Sequence, residues 1–141
     1  MPRPSTVTFP PTAKWTPALQ GLPALAIRQP YAWLVANGIK DIENRSRRTH
    51  YRGKVLIHAS LSDALLFEDT LGALSKRAGV RFPDSFKKGG IIGVAEIVGC
   101  EQRHGSEWKD SSSWGWILAN ARPLPFRPCK GALGLFRPKF E

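Results

Sequence analysis

A chain of 141 residues is long enough for one domain and too short for two of ordinary size, and at this length a single core buries roughly 70% of the unfolded surface without a disulfide or structural metal. The N-terminal MPRPSTVTFPPTAKW contains no apolar run that could form a signal-peptide core, and no later stretch is long enough to span a bilayer, so a soluble, cytoplasmic protein with no membrane partner is expected. A net charge of +10 and a pI near 10.2 exceed what solubility needs and favour a polyanionic partner; the basic residues fall in loops and between elements, not along an amphipathic helix, which points to nucleic acid over an acidic membrane.

In chain order, Met1 to Pro23 hold half of the prolines with little apolar periodicity, and are expected as an arm, extended on the surface or disordered, ahead of a domain over residues 24–141. A short strand is predicted at Ala24 to Arg28, then a helix from Pro30 ended by Asn37 and Gly38, which tolerate left-handed backbone. A short strand at Asp41 to Asn44 leads through basic RSRRTHYRG to a strand at Lys54 to Ser60. Ser62 or Asp63 can cap a helix reaching Ala78, with Leu65, Leu66, Leu71 and Leu74 as its apolar stripe and Gly79 as its stop. Gly90 to Cys100, rich in β-branched residues, is the clearest strand. Strands near Trp114 to Asn120 and Leu133 to Phe136 follow, and the prolines of ARPLPFRP between them are incompatible with a central strand. Together these elements predict an α+β fold, a small, mostly antiparallel β-barrel of five or six strands with two inserted helices. Regular strand–helix alternation with a glycine fingerprint, as a dinucleotide fold requires, is absent.

Cys100 and Cys129 are far apart, outside any CxxC pattern, and read as reduced thiols. The spacings of His50, His58 and His104 are long and unrelated, so neither a metal nor a cofactor is indicated. His58, at a strand end, reads more readily as a structural residue than as a catalyst, and the serines lack a nucleophile-elbow context.

The stretch ALAIRQPYAWLVANGIKDIENRSRRTHYRGKVLIHAS strongly resembles the ASCH (activating signal cointegrator homology) domain, whose GxKxxExR motif stands here as Gly38, Lys40, Glu43 and Arg45. The IRQP, YRG and IHAS segments, FPDSFKKGGIIGVAEIVGC and WGWILANARPLPF also fit the family, so the resemblance runs from Leu25 to Phe136. It implies a PUA-like barrel with a cleft where the motif meets the barrel mouth. Members are linked to RNA or DNA binding, and a small bacterial branch to hydrolysis of acetylcytidine by the motif lysine, a threonine three positions later and a strand glutamate. Here Lys40 and Glu96 match, but Glu43 stands at the threonine position, a departure that weighs against hydrolysis.

Two readings of the site follow. In the first the chain is a binding module for RNA, another nucleic acid or a nucleoside: Arg45, Arg47, Arg48, Arg52 and Lys54 hold phosphates, Tyr51 stacks on a base, and a second basic group, Arg122, Arg127, Lys130, Arg137 and Lys139, adds to them. In the second it is a small hydrolase of nucleoside or RNA substrates, an acetylcytidine amidohydrolase or ribonuclease, with Lys40 and Glu96 as general acid and base and Glu43 as positioning group. A protein-interaction adaptor is a third possibility, requiring an exposed apolar patch. Glu96 interrupts an otherwise apolar strand and needs a partner or an opening, so Lys40, Glu43 and Glu96 are expected to line one concavity, within roughly 6 Å of one another. Against these stand structural roles: a surface Lys40–Glu43 ion pair, a Glu96 paired to a structural cation, a solvated basic face, and Trp33, Trp114 and Trp116 in the core.

Overall fold

The computed structural model of the chain describes residues 7–63 and 68–140. Nine elements follow in order: helix α1 (Pro17–Gln20), strand β1 (Ala24–Gln29), helix α2 (Tyr31–Ala36), strands β2 (Ile42–Arg45) and β3 (Gly53–Asp63), helix α3 (Glu68–Ala78), and strands β4 (Gly90–Glu101), β5 (Trp114–Pro128) and β6 (Leu135–Phe136). The six strands form one curled half-barrel sheet in the order β2-β5-β4-β3-β1-β6, antiparallel throughout except for the parallel β1–β3 pair. This is the small α+β barrel expected, with the short α1 as an additional helix.

Alternation sorts the central strands into two layers. Val55 and Ile57 of β3 and Ala95 and Ile97 of β4 join Leu25, Trp116 and Leu118 in the inner core, covered by Ala32 and Val35 of α2. Gly93 is what lets α2 come so close, since a Cβ there would lie 2.7 Å from that of Ala36. Leu56, Ile91, Val94 and Leu124 face the other side and carry Trp15, Leu19, Leu22 and Phe140 from the two ends of the chain. Fully burying one of these aliphatic side chains contributes about 1.5–3 kcal/mol. A third cluster joins Leu74 and Ala78 of α3 to Leu34, Ile42 and Trp108. Trp33 lies against it in edge contact with Phe82, Trp116 is buried and Trp114 packs on the inner core, so all three serve packing.

Local structure departs from expectation at two places. The strand at β3 continues through Ser62 to Asp63, which pairs with Gln29, so those residues extend a strand where a helix cap was expected; Leu65 and Leu66 lie outside the described residues. Strand β5 does not stop at Asn120 but runs on through ARPLPFRP. Its first half lies between β2 and β4; beyond a bulge at Asn120 (φ 53°) only β4 pairs with it, so Pro123, Pro125 and Pro128 sit on an edge, where a missing N–H is tolerated. The segment before β1 takes the first of its two expected forms, extended on the surface along that edge: Ala13 N–H donates to the Pro123 carbonyl (2.8 Å) and Trp15 Nε1 to that of Pro125 (2.8 Å).

Candidate nucleic-acid interface

Helix α2 ends at Ala36 with Asn37 as its C-cap, and Gly38 takes a φ of +74°; the amides of Ile39 and Lys40 then both donate back to the Leu34 carbonyl (2.9 and 3.1 Å). This tight reversal sets Lys40 ahead of β2, in a turn, so a side chain three residues before Glu43 can reach it. Lys40 Nζ donates to the Ile42 carbonyl and to Glu43 Oε1 (3.3 Å), and lies 5.5 Å from the centre of the Tyr31 ring. The second Glu43 oxygen accepts from Arg45 (3.0 Å), and the same guanidinium nitrogen donates to the Ala26 carbonyl (2.6 Å). Strand β2 opens the sheet order and β1 lies near its far end, so Arg45 closes the barrel seam by a side chain where no backbone ladder does. Lys40 (6% exposed) and Glu43 (8%) form a buried ion pair; neither is a surface pair. Burial makes the pair dependent on its full set of partners, because either charge left alone would be uncompensated.

Beside the seam opens a cleft of about 1780 Å³ between the β1 edge, the end of β3 and the chain from Arg127 to Lys139. Six cationic side chains line it: Arg28, Arg45, Arg127, Lys130, Arg137 and Lys139. Among the described lining residues Glu43 is the one acid, already engaged by two cations. Arg127 is held between aromatic rings, 5.2 Å from Trp15 and 4.1 Å from Phe140, and Arg137 donates to the Gly21 carbonyl (2.6 Å), so both ends of the chain brace this wall. The floor holds His58, 2% exposed, whose Nε2 donates to the Cys129 carbonyl (2.9 Å), while Nδ1 has no partner among the described residues. Burial pushes the Cys129 thiol up, against the smaller opposing effect of Arg127. A smaller hollow of about 410 Å³ lies on the other side of Tyr31, Glu43 and Asn44, bounded by Arg77 and Trp108. The described residues contain no cluster of three or more His, Cys, Asp or Glu able to hold a metal ion, and no helix long and apolar enough to cross a membrane.

Of the residues singled out from sequence, Lys40, Glu43 and Arg45 meet; Glu96 does not join them. Glu96 stands opposite Lys54, in register with Leu56–Val94 on the outer layer, whereas Glu43 lies opposite Trp116 of the inner core. The expected convergence of Lys40, Glu43 and Glu96 is therefore corrected: a strand apolar on both faces does not reveal which face curls inward. Arg47, Arg48, Arg52 and Lys54 are exposed but outside the cleft lining. Tyr51 packs partly against the inner core, its hydroxyl donating to the Lys54 carbonyl (2.6 Å), and Arg48 lies 5.6 Å from the Trp114 ring centre. Arg28 was missed, although its outward place in the alternation of ALAIRQ was visible.

The small curled α+β barrel, with the GxKxxExR motif at its seam, is the fold expected of a PUA-like ASCH domain. The ASCH domain family model matches residues 25–127, and the chain belongs to that family. It is similar to Activating signal cointegrator 1 of Mus musculus, 28% identical over 120 residues that make up 76% of this chain and 20% of that protein. It is 30% identical to Activating signal cointegrator 1 of Homo sapiens over 80 residues, 54% of this chain and 14% of that protein. The chain thus matches about a fifth, or less, of the length of these relatives.

Proposed function

We propose that the cleft binds single-stranded RNA, with phosphates on its cations and a base or nucleoside turned toward the Glu43–Arg45 floor. The observation that carries this reading is the charge pattern: six cations face one carboxylate, already paired, around about 1780 Å³. Small-molecule pockets occupy roughly 300–1,000 Å³, so the cleft has room for several linked nucleotides. Among the described lining residues the only helical one is Tyr31, at the start of the six-residue α2, so no helix face is presented that could enter a major groove, which favours a flexible single strand over a duplex. Tyr31 and Phe136 add ring surface along the walls. Arg47, Arg48, Arg52 and Lys54 contribute longer-range attraction, and Lys40 acts as a structural partner of Glu43.

The test is fluorescence anisotropy of a labelled unstructured RNA at increasing salt, with DNA of the same sequence as comparison. With about three to five phosphates engaged, log affinity falls against log salt with a slope of roughly −2 to −3.5. An affinity independent of salt would refute the proposal.

A further inference from the structure

Four large apolar side chains are exposed among the described residues: Phe9 (47%), Val98 (46%), Leu61 (79%) and Leu133 (98%). Phe9 rests on Trp33 in an edge contact, and Val98 stands on the β4 surface away from the cleft. The two most exposed, Leu61 and Leu133, both line the cationic cleft. Sheet pairing puts them at the same end of the barrel. β6 runs antiparallel to β1, with Leu135 opposite Leu25, so the chain just before it rises past Ile27, and Ile27 pairs with Ala59 of β3, two residues before Leu61.

The loop that carries Leu133 is anchored on both sides. Cys129 N–H donates to the Gly89 carbonyl (3.2 Å), and Gly131 lies so close to His58 that a Cβ there would come within 2.7 Å of the ring. On the far side β6 is paired to β1. Leu133 is therefore presented at a loop tip with a braced base, with Lys130 before it and Arg137 and Lys139 after it, all lining the same cleft. Its side chain cannot hydrogen-bond to a phosphate or a base edge. What it fits, in a setting that draws in a polyanion, is the apolar face of a base.

We propose that Leu133 is a wedge that inserts between adjacent bases of the bound RNA strand, with Leu61 as the apolar stop on the opposite side of the mouth. The cations flanking Leu133 hold the backbone on either side of the opened step, and the displaced base turns into the cleft. Leucine is among the side chains that part stacked bases in this way, and RNA recognition commonly reads bases that are splayed out. The inference rests on the cleft being an RNA site.

The experiment uses the full chain and a short unstructured RNA containing 2-aminopurine, whose fluorescence rises when it leaves the stack. Wild type is expected to raise the signal at one position along the strand. Leu133→Ala is expected to abolish the rise and weaken binding about fivefold or more, as loss of a base-stacking contact does, while the salt slope stays unchanged because every cation remains. Leu133→Met should retain both properties. Unchanged fluorescence on binding of wild type, or an unaltered rise with Leu133→Ala, overturns the wedge. Weaker binding by Leu133→Ala with the rise intact also overturns it, marking a simple contact. If wild-type binding itself lacks salt dependence, the RNA reading fails; if Lys130→Ala/Lys139→Ala flattens the slope while Leu133→Ala changes nothing, only the wedge fails.

Discussion

Replacing Lys130 and Lys139 by alanine should reveal which basic surface holds the RNA backbone. Both line the cleft, both are exposed, and neither makes a hydrogen bond or ion pair among the described residues, so their removal should leave the urea midpoint unmoved. Of the six lining cations, Arg45 has its charge paired by the Glu43 carboxylate, whereas Arg127, between rings, and Arg137, on a neutral carbonyl, have no acid beside them among the described residues, which leaves five for phosphates. At roughly −0.7 per neutralised phosphate on a single strand, five contacts give a slope of about −3.5, and losing two brings it to about −2.1. The two lines converge near 1 M salt and separate on dilution; at about 0.15 M the variant should bind about fifteenfold more weakly, roughly 1.6 kcal/mol. Arg47→Ala/Arg48→Ala, at exposed positions outside the cleft, should change the slope by less than half as much. The assay is anisotropy over a salt series for all three proteins. Equal flattening by the two double variants, or an unchanged slope after loss of both lysines, would refute the assignment of the phosphate path to the cleft.

Glu43→Ala should destabilise the fold by about 3–5 kcal/mol in urea unfolding, because it strands the buried Lys40 ammonium. Lys40→Met should cost less than half of that, since Glu43 keeps Arg45, and should leave RNA affinity in place; neither it nor wild type should hydrolyse acetylcytidine above background, as followed by chromatography of the products. Trp15→Ala removes one of the two rings that hold Arg127 and should weaken RNA binding by anisotropy although Trp15 is not itself in the cleft lining. Burial alone would raise the Asp110 carboxyl, but the Ser112 and Ser113 amides, the Ser113 hydroxyl and Lys109 outweigh it and hold it below the usual carboxylate range. A carboxyl lowered on folding lends stability that is complete above about pH 4 and lost as pH falls through its lowered value, so Asp110→Asn should lower Tm at neutral pH and flatten the acid limb of the Tm–pH curve.

The regularities that could be read from sequence were local. Lys40, Glu43 and Arg45 belong to one motif within six residues, and their meeting needs only the reversal after Gly38. Gly90 to Cys100 was legible as a strand because β-branched residues fill both of its faces, and it spans Gly90–Glu101. The same double-sided apolarity hid the position of Glu96. Alternation shows that Glu96 and Val94 share a face, but only the curl of the sheet decides that this face is the outer one. Ser62 and Asp63 likewise have the chemistry of a helix cap, and the competing claim on them comes from Gln29, more than thirty positions earlier along the chain. Local preference lost there to a pairing that no window of sequence contains.

The cleft follows the same logic. Its cations come from β1, β2, the end of β5 and the chain beyond it, so they share no spacing that could announce a common surface. The run from Arg45 to Lys54 is dense in basic residues, yet of that run only Arg45 reaches the cleft. Contiguity in sequence forces such a run along a strand and loop, where successive side chains diverge, whereas a groove needs walls from opposite sides. The wall formed by the tail is fixed by β6, a strand of two residues whose pairing with Ala24 and Leu25 of β1 turns the chain back beside the cleft. Breaking that short pairing should therefore displace Arg137 and Lys139 while leaving the motif intact and Lys130 in place on its own anchor, the Cys129–Gly89 hydrogen bond. Leu135→Pro tests this, since proline at the strand cannot donate to the ladder: the variant should keep its far-UV spectrum while its salt slope falls from about −3.5 toward about −2.1, and a variant that binds with the wild-type slope would show that the phosphate path runs elsewhere.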